Sequence, residues 1–301
     1  MTITEAYAAC RMIARREAKN FYYAFRVLPE HKSDAMCAVY AFMRRADDIA
    51  DDESLTVPER REAMKLWVEA WRVARVGGAT DDPVFFALND TQKKFAIPDS
   101  LLEELVQGTT MDLEPGSVAP GEIQTFATFD ELYRYCYLVA SVVGLVCIRI
   151  FGYTDVRAEK FAEETGIAFQ LTNILRDVKE DAERGRIYLP LDLLSEFGVS
   201  IERVMALSRG APIETAERAV LCRLGAKAEE YYASADKLLP LIDKDSRAAL
   251  WVLVTIYHDL LHRMGRLDSD VFSHRVSVPT VTKLTILARG AGIALRNRVM
   301  P

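Results

Sequence analysis

Two short stretches carry the residue types that hold divalent cations. The first is Arg44-Arg45-Ala46-Asp47-Asp48-Ile49-Ala50-Asp51-Asp52, which closes an apolar run from Ala35 to Met43. On a helix, Asp47/Asp51 and Asp48/Asp52 are i,i+4 pairs, so each pair stacks on one face. Like charges at that spacing destabilise a helix by roughly 0.2–0.5 kcal/mol per pair. A chain that keeps four carboxylates beside an apolar face either holds a cation there or ends a helix in water. The second stretch, Asn173-Ile174-Leu175-Arg176-Asp177-Val178-Lys179-Glu180-Asp181, repeats the device with Asp177 and Asp181.

Hard cations such as Mg²⁺ take oxygen ligands, commonly one or two carboxylates completed by water and substrate phosphate. Asp47 and Asp51 on one helix, facing Asp177 and Asp181 on another, would supply that set for a diphosphate, and helix bundles commonly build metal sites this way. Gln170 and Asn173 lie seven and four residues before Asp177 on the same face, where a buried amide needs something to bond. Arg44, Arg45 and Arg176 either grip phosphate oxygens bidentately or pair with nearby acids. The chemistry this implies is ionisation of an allylic diphosphate, with metal and arginine stabilising the departing anion. The carbocation left behind needs a dry, aromatic-lined chamber. The stretch from Tyr135 to Gly144 offers such a wall through Tyr135, Val139, Ala140 and Val143. Gly144 either leaves room for a long chain or lets two helices pack closely.

Those residues must be positioned by helices. Sustained period-2 alternation and Asn-Gly hairpin signals are absent, and glycines and prolines fall between long 3.6-period segments. The pattern predicts an all-α fold in one domain, residues 1–301. Helices are expected over about Glu5–Lys19, Phe21–Arg26, Lys32–Asp52, Pro58–Val76, Pro83–Phe95 and Ser100–Asp112. Ser100 is the expected N-cap of the last, with Glu103 completing a capping box. A loop follows from Glu114 to Ala127. Further helices are expected over Glu131–Phe151, Asp155–Glu183, Leu191–Phe197, Ile201–Leu207, Ile213–Leu238, Lys244–Leu267 and Pro279–Asn297, with Gly185–Pro190 as a link.

The 301 residues carry 38 basic and 44 acidic side chains, a net charge of −6, which argues against nucleic acid as the main partner. Half the residues are hydrophobic, enough for a sizeable core. Cys10, Cys37, Cys136, Cys147 and Cys222 form no C-x-x-C pair and read as reduced thiols. The N-terminus shows no secretory h-region. Leu138–Ile148 is the most apolar run, short for a membrane span. The expected location is cytoplasmic; Val281–Leu295, flanked by Arg289, Arg296 and Arg298, reads as a packed final helix with an exposed basic end, the alternative being peripheral contact with the inner membrane face. His31, His258, His262 and His274 are scattered. His258 and His262 are i,i+4 but lack the intervening Glu of an H-E-x-x-H motif, so they read as non-metal. Asp112 reads equally as a supporting acid or a helix-end carboxylate. Nothing in the sequence sets the oligomeric state.

The chain resembles the squalene/phytoene synthase family, the head-to-head prenyl transferases, over almost its whole length. The matching stretches are Phe21-Tyr22-Tyr23-Ala24-Phe25 with Leu28-Pro29, Tyr40 to Asp51, Gly108 to Leu113, and Tyr135 to Gly144. The most specific is Gln170 to Asp181 continued by Arg184-Gly185-Arg186-Ile187-Tyr188-Leu189-Pro190. The resemblance implies a single-domain isoprenoid-synthase bundle with a central cavity and Mg²⁺ (Mn²⁺ as an alternative) at Asp47, Asp51, Asp177 and Asp181. It implies that Tyr40, Arg44, Asn173, Arg176, Tyr257 and Arg275 hold diphosphate. Phe21, Tyr135, Val139, Ala140, Val143, Gly144 and Gln170 match the chamber wall. Many members carry a Ser-x-Ser-Phe entrance. Here it reads Ala18-Lys19-Asn20-Phe21, where Asn20 retains a hydrogen bond and Ala18 does not. The implied reaction joins two prenyl diphosphates through a cyclopropyl diphosphate, with two farnesyl groups giving a C30 product. The alternatives are C40 phytoene synthesis, a chain-elongating or cyclising terpene synthase, and a non-catalytic assembly factor. Whether NADPH reduces the product is not written in the sequence, since this family needs no Gly-rich dinucleotide fingerprint.

Overall fold

Several helix starts in this chain are set by side chains that satisfy otherwise orphaned backbone N–H groups. Thr2 and Glu5 close a capping box at the start of α1 (Ile3–Glu17), and Thr56 with Glu59 does the same for α4 (Val57–Arg75). Asp82 caps α5 (Pro83–Lys94), where Pro83 occupies a first-turn position that needs no donor. Between these lie α2 (Lys19–Phe25) and α3 (Glu30–Ala50). The computed structural model describes residues 1–111, 123–266 and 270–299, and the side chains of residues 19, 20, 23 and 297–299 fall outside that description. The entrance residue Asn20 and the acid Asp112 therefore lie outside the described side chains.

Next come α6 (Asp99–Thr110), α7 (Phe129–Cys136), a π-helical segment (Tyr137–Ser141) and α8 (Val142–Phe151). Then follow α9 (Arg157–Glu183), α10 (Leu191–Glu196), α11 (Ile201–Ser208), α12 (Thr215–Leu238), α13 (Arg247–Arg266) and α14 (Thr280–Val299). Among the described residues extended pairing is limited to two isolated bridges, Gln124 with Arg186 and Tyr153 with Ile242. The first laces residues 124–127 onto the link after α9: Gln124 N–H donates to Gly185 O and Ile187 N–H returns to Gln124 O, each at 2.8 Å.

Packing arranges these helices as a ring. α3 packs on α2, α2 on α13, α13 on α9, α9 on the π segment, the π segment on α6, and α6 back on α3. The two acid-bearing helices, α3 and α9, thus occupy opposite positions of the ring. Two apolar cores flank it, one built on α1, α3–α6 and α8, the other on α7 and α9–α13; Phe21, Met111, Tyr137 and Val254 touch both.

Three local features differ from the sequence expectation. The helix expected over Glu131–Phe151 is interrupted by the π segment. It is clasped by two glycines: a Cβ on Gly108 would lie 2.4 Å from the Leu138 carbonyl oxygen, and one on Gly166 would lie 2.6 Å from Ser141 Cα. Ser141, fully buried, donates its hydroxyl to the Glu163 carbonyl at 2.7 Å. The Ser100/Glu103 capping box does not form. α6 begins at Asp99 behind Pro98, and Glu103 instead accepts hydrogen bonds from Arg72 (2.7 Å) and Arg75 (2.8 Å), because two guanidiniums outbid one backbone amide. α3 stops at Ala50, two residues short of Asp52. Phe129–Phe151 is long and apolar enough to cross a membrane; half of its apolar window is buried, with α6 and α9 packed against its middle. α14 exposes Val281, Leu284 and Leu295 beside Arg289 and Arg296.

Candidate active site

α3 delivers Tyr40, Arg44 and Asp47 and, just past its last turn, Asp51. The Asp47 carboxyl is pushed up to about 7, chiefly by burial and then by the Asp51 charge, with Arg44 only partly offsetting them. Asp51 is exposed, and its backbone N–H bonds Asp47 O at 2.8 Å, which keeps it on the Asp47 face. Asp48 points into water and pairs with Arg44 (Nη2–Oδ1 2.6 Å). Asp52 accepts from the Ser54 N–H (3.0 Å) and hydroxyl (2.5 Å) in the turn beyond the helix, so it does not stack on Asp48. Arg45 turns away and pairs with Asp82, the cap of α5. Arg44 Nε is buried without a hydrogen-bond partner.

α9 presents Gln170, Asn173, Arg176, Asp177 and Asp181. Asp177 is gripped by Arg176, with Nε donating to Oδ1 at 2.8 Å, and by Arg275, with Nη2 at 3.0 Å. Arg275 also reaches Glu180 (3.6 Å). Asp181 differs. Its carboxyl is pushed up to about 7 by burial first and the Asp177 charge second, while Arg186 and Arg184 pull the other way. Among the described residues no cation hydrogen-bonds Asp47 or Asp181. Asn173 Nδ2 donates to Gln170 Oε1 at 3.3 Å, and Asn173 Oδ1 is buried without a partner.

Aromatic side chains span the distance between the two blocks. Tyr257 of α13 is buried; its hydroxyl is pushed up to about 12 by burial, against the opposing influence of Arg176 and the Asn173 amide, and it also feels Tyr40. Its ring stacks on Phe169 (4.5 Å between centroids) and tilts on Phe21 (5.8 Å). Burial likewise raises the Tyr40 hydroxyl, which senses Arg44, Asp47 and Asp48. Beside them opens a pocket of about 360 Å³ lined by Arg176, Tyr257, Arg275, Ser277 and Lys283. Its basic lining suits an anion. Lys283, which closes the family-like stretch running from Tyr257 through Arg275 but carries no assigned role there, joins this lining. Two larger grooves lie on other faces.

Along the π segment and α8, Val139, Ala140, Val143 and Gly144 remain half-buried while Leu138, Ser141 and Val142 between them are sealed. A Cβ on Gly144 would lie 3.1 Å from the Ala162 carbonyl oxygen, so this glycine serves the close packing of α8 on α9. Tyr135 is buried, its ring stacked on Tyr188 (4.9 Å) and tilted against Phe126 (5.4 Å).

The residues fit a divalent cation and a diphosphate. Asp47 and Asp181, only partly compensated by nearby arginines, and an orphaned amide oxygen call for positive charge or its bound water, and an orphaned guanidinium N–H calls for an anion. A ring of helices with two D-x-x-x-D segments on opposite sides and a basic pocket beside one of them defines the isoprenoid-synthase class. The model of the family described as "Squalene/phytoene synthase" matches residues 14–282. A phytoene synthase of Mycobacterium tuberculosis is 35% identical over 288 residues, covering 95% of this chain and 90% of that protein. A 15-cis-phytoene synthase of Synechococcus elongatus is 32% identical over 301 residues, covering 95% and 92%. A crystal structure of a dehydrosqualene synthase superposes with a TM-score of 0.83 at 29% identity, covering 96% of each chain. The chain belongs to the squalene/phytoene synthase family of head-to-head prenyl transferases.

Proposed function

We propose that this protein condenses two farnesyl diphosphates, with Asp47, Asp51, Asp177 and Asp181 as ligands of Mg²⁺. The metal, when bound, neutralises the diphosphate and makes it a better leaving group. Arg44, Arg176, Arg275 and Tyr40 supply hydrogen bonds to the departing anion, and Asn173 with Gln170 orients what Asp177 and Asp181 hold. Phe21, Tyr257, Tyr135, Val139, Ala140 and Val143 exclude water from the cationic carbons. In the first step one diphosphate leaves, a carbon–carbon bond forms and a proton is lost as the cyclopropane closes. In the second, the remaining diphosphate leaves and the cation rearranges. It then loses a proton, or takes hydride where NADPH is the reductant. The pairing of two buried, only partly compensated carboxyls, one on each acidic helix, carries the metal assignment.

The farnesyl reading is supported by the likeness to a dehydrosqualene synthase over 96% of both chains. The geranylgeranyl reading is favoured by relatives that are named phytoene synthases. One assay separates them: the protein is incubated with Mg²⁺ and either C15 or C20 diphosphate, with and without NADPH, and the products are identified by mass. A C30 1–1′ product or presqualene diphosphate from the C15 substrate is expected. A C40 product alone establishes the second reading. A cyclic C15 or head-to-tail product removes both, and an inactive protein with intact cellular function points to an assembly role.

A further inference from the structure

Outside the carboxylate site, one cluster gathers metal-ligating side chains from two helices. His258 and His262 stand one turn apart on α13, and Glu229 reaches them from α12. His258 Nε2 lies 2.8 Å from both carboxylate oxygens of Glu229, and His262 Nε2 lies 3.7 Å from Oε2. The three ligand atoms fall within 4.8 Å of one another, and the two imidazole centroids are 4.2 Å apart. The side chains are 49%, 31% and 51% exposed for Glu229, His258 and His262, so an ion can enter from solvent.

We propose that Glu229, His258 and His262 form a second metal site, for a transition-metal ion of the zinc class, on the outer face of α12 and α13. Two imidazoles and a carboxylate are a donor set for zinc, with water completing the tetrahedron. Nitrogen donors turn away Mg²⁺ and Ca²⁺, which seek oxygen. Around an ion with bonds of about 2.0–2.1 Å, tetrahedral ligand atoms stand about 3.3–3.5 Å apart. The two Glu229–histidine separations, 2.8 and 3.7 Å, bracket that distance, and with all three ligand atoms within 4.8 Å the set closes by side-chain rotation on an open surface. A histidine–carboxylate ion pair alone would use one imidazole, whereas here one carboxylate draws two.

The surroundings pre-orient the cluster. The His258 ring stacks on Tyr232 at 4.4 Å and 24°, and the Tyr232 hydroxyl is hydrogen-bonded with Thr172 of α9 at 2.9 Å. Glu229 and His262 border a groove of about 520 Å³ lined by Leu221, Gly225 and Met264, which gives the fourth coordination position access to water. An ion held here ties α12 to α13, the helix that carries Tyr257 next to His258. Binding to the folded chain alone then raises its resistance to unfolding.

The test titrates tag-free protein with Co²⁺ in excess Mg²⁺, which occupies oxygen sites and leaves imidazoles untouched. One Co²⁺ per chain is expected, with the visible absorption of a four-coordinate site, no thiolate charge-transfer band, and displacement by Zn²⁺. The double variant H258A/H262A should bind at least about tenfold more weakly, while C222S and D177N keep the parent affinity. Turnover in Mg²⁺ and helical circular dichroism certify that the double variant is folded, and E229Q at an exposed position serves if it is not. Co²⁺ uptake as tight in H258A/H262A or E229Q as in the parent, or none in the parent, overturns the proposal and leaves the cluster an ion pair only.

Discussion

Asp47 and Asp177 occupy equivalent places in two copies of one spacing, yet their surroundings differ. Asp177 is held by two guanidiniums, whereas Asp47 sits among carboxylates with Arg44 engaged elsewhere, on Asp48. The spacing of the acids was legible in the sequence because i,i+4 periodicity follows from helix geometry. Which acid is neutralised by which arginine was not, since Arg275 reaches Asp177 across 98 positions and Arg45 leaves for Asp82. The same geometry ranks the first block. Asp51 stays on the Asp47 face, while Asp52 is spent on Ser54 in the turn beyond α3. Asp51→Asn should lower turnover about a hundredfold or more, the scale of removing one electrostatic contact to a developing charge. Asp52→Asn should keep most of it. Steady-state kinetics on both decide, and equal losses contradict the ranking.

At the scale of elements, the helices read from periodicity lie within a few residues of those observed, because apolar stripes and caps are local signals. The π segment was invisible. Its cause is the approach of α6 and α9, two helices placed by the rest of the chain. Gly108 and Gly166 make that approach possible, each facing backbone atoms that cannot swing aside. Gly108→Ala and Gly166→Ala should each destabilise by about 1–3 kcal/mol through overpacking. Gly144→Ala, where the contact would be 3.1 Å, should cost less. Gly225→Ala, with only Leu175 Cδ1 at 3.8 Å, should stabilise, since alanine is the better helix residue by about 0.5–1 kcal/mol. Urea midpoints at constant slope measure the series, and a destabilised Gly225→Ala beside a neutral Gly108→Ala inverts the expected order.

At the scale of the whole molecule, the ring places two carboxyls of raised pKa on opposite helices, and that couples folding to pH. Asp47 and Asp181 move from 3.8 in the unfolded chain to about 7 in the folded one. A carboxyl raised in this way binds its proton more tightly when folded. Its contribution to stability is fully present below about pH 4 and is lost as pH rises through 7, at up to about 1.4 kcal/mol per pH unit for each group. Without metal, therefore, these two groups make the protein less stable at pH 8 than at pH 5.5. In the proposed site Mg²⁺ would compete with those protons for the same oxygens, so its stabilising effect should run the opposite way. The rise in unfolding temperature on adding Mg²⁺ should be small at pH 5.5 and grow through pH 8, and Asp47→Asn/Asp181→Asn should flatten both trends. Thermal unfolding followed by circular dichroism across that range, with EDTA or saturating Mg²⁺, supplies the comparison. A Mg²⁺ shift that does not change with pH would mean that these two carboxyls do not hold the ion.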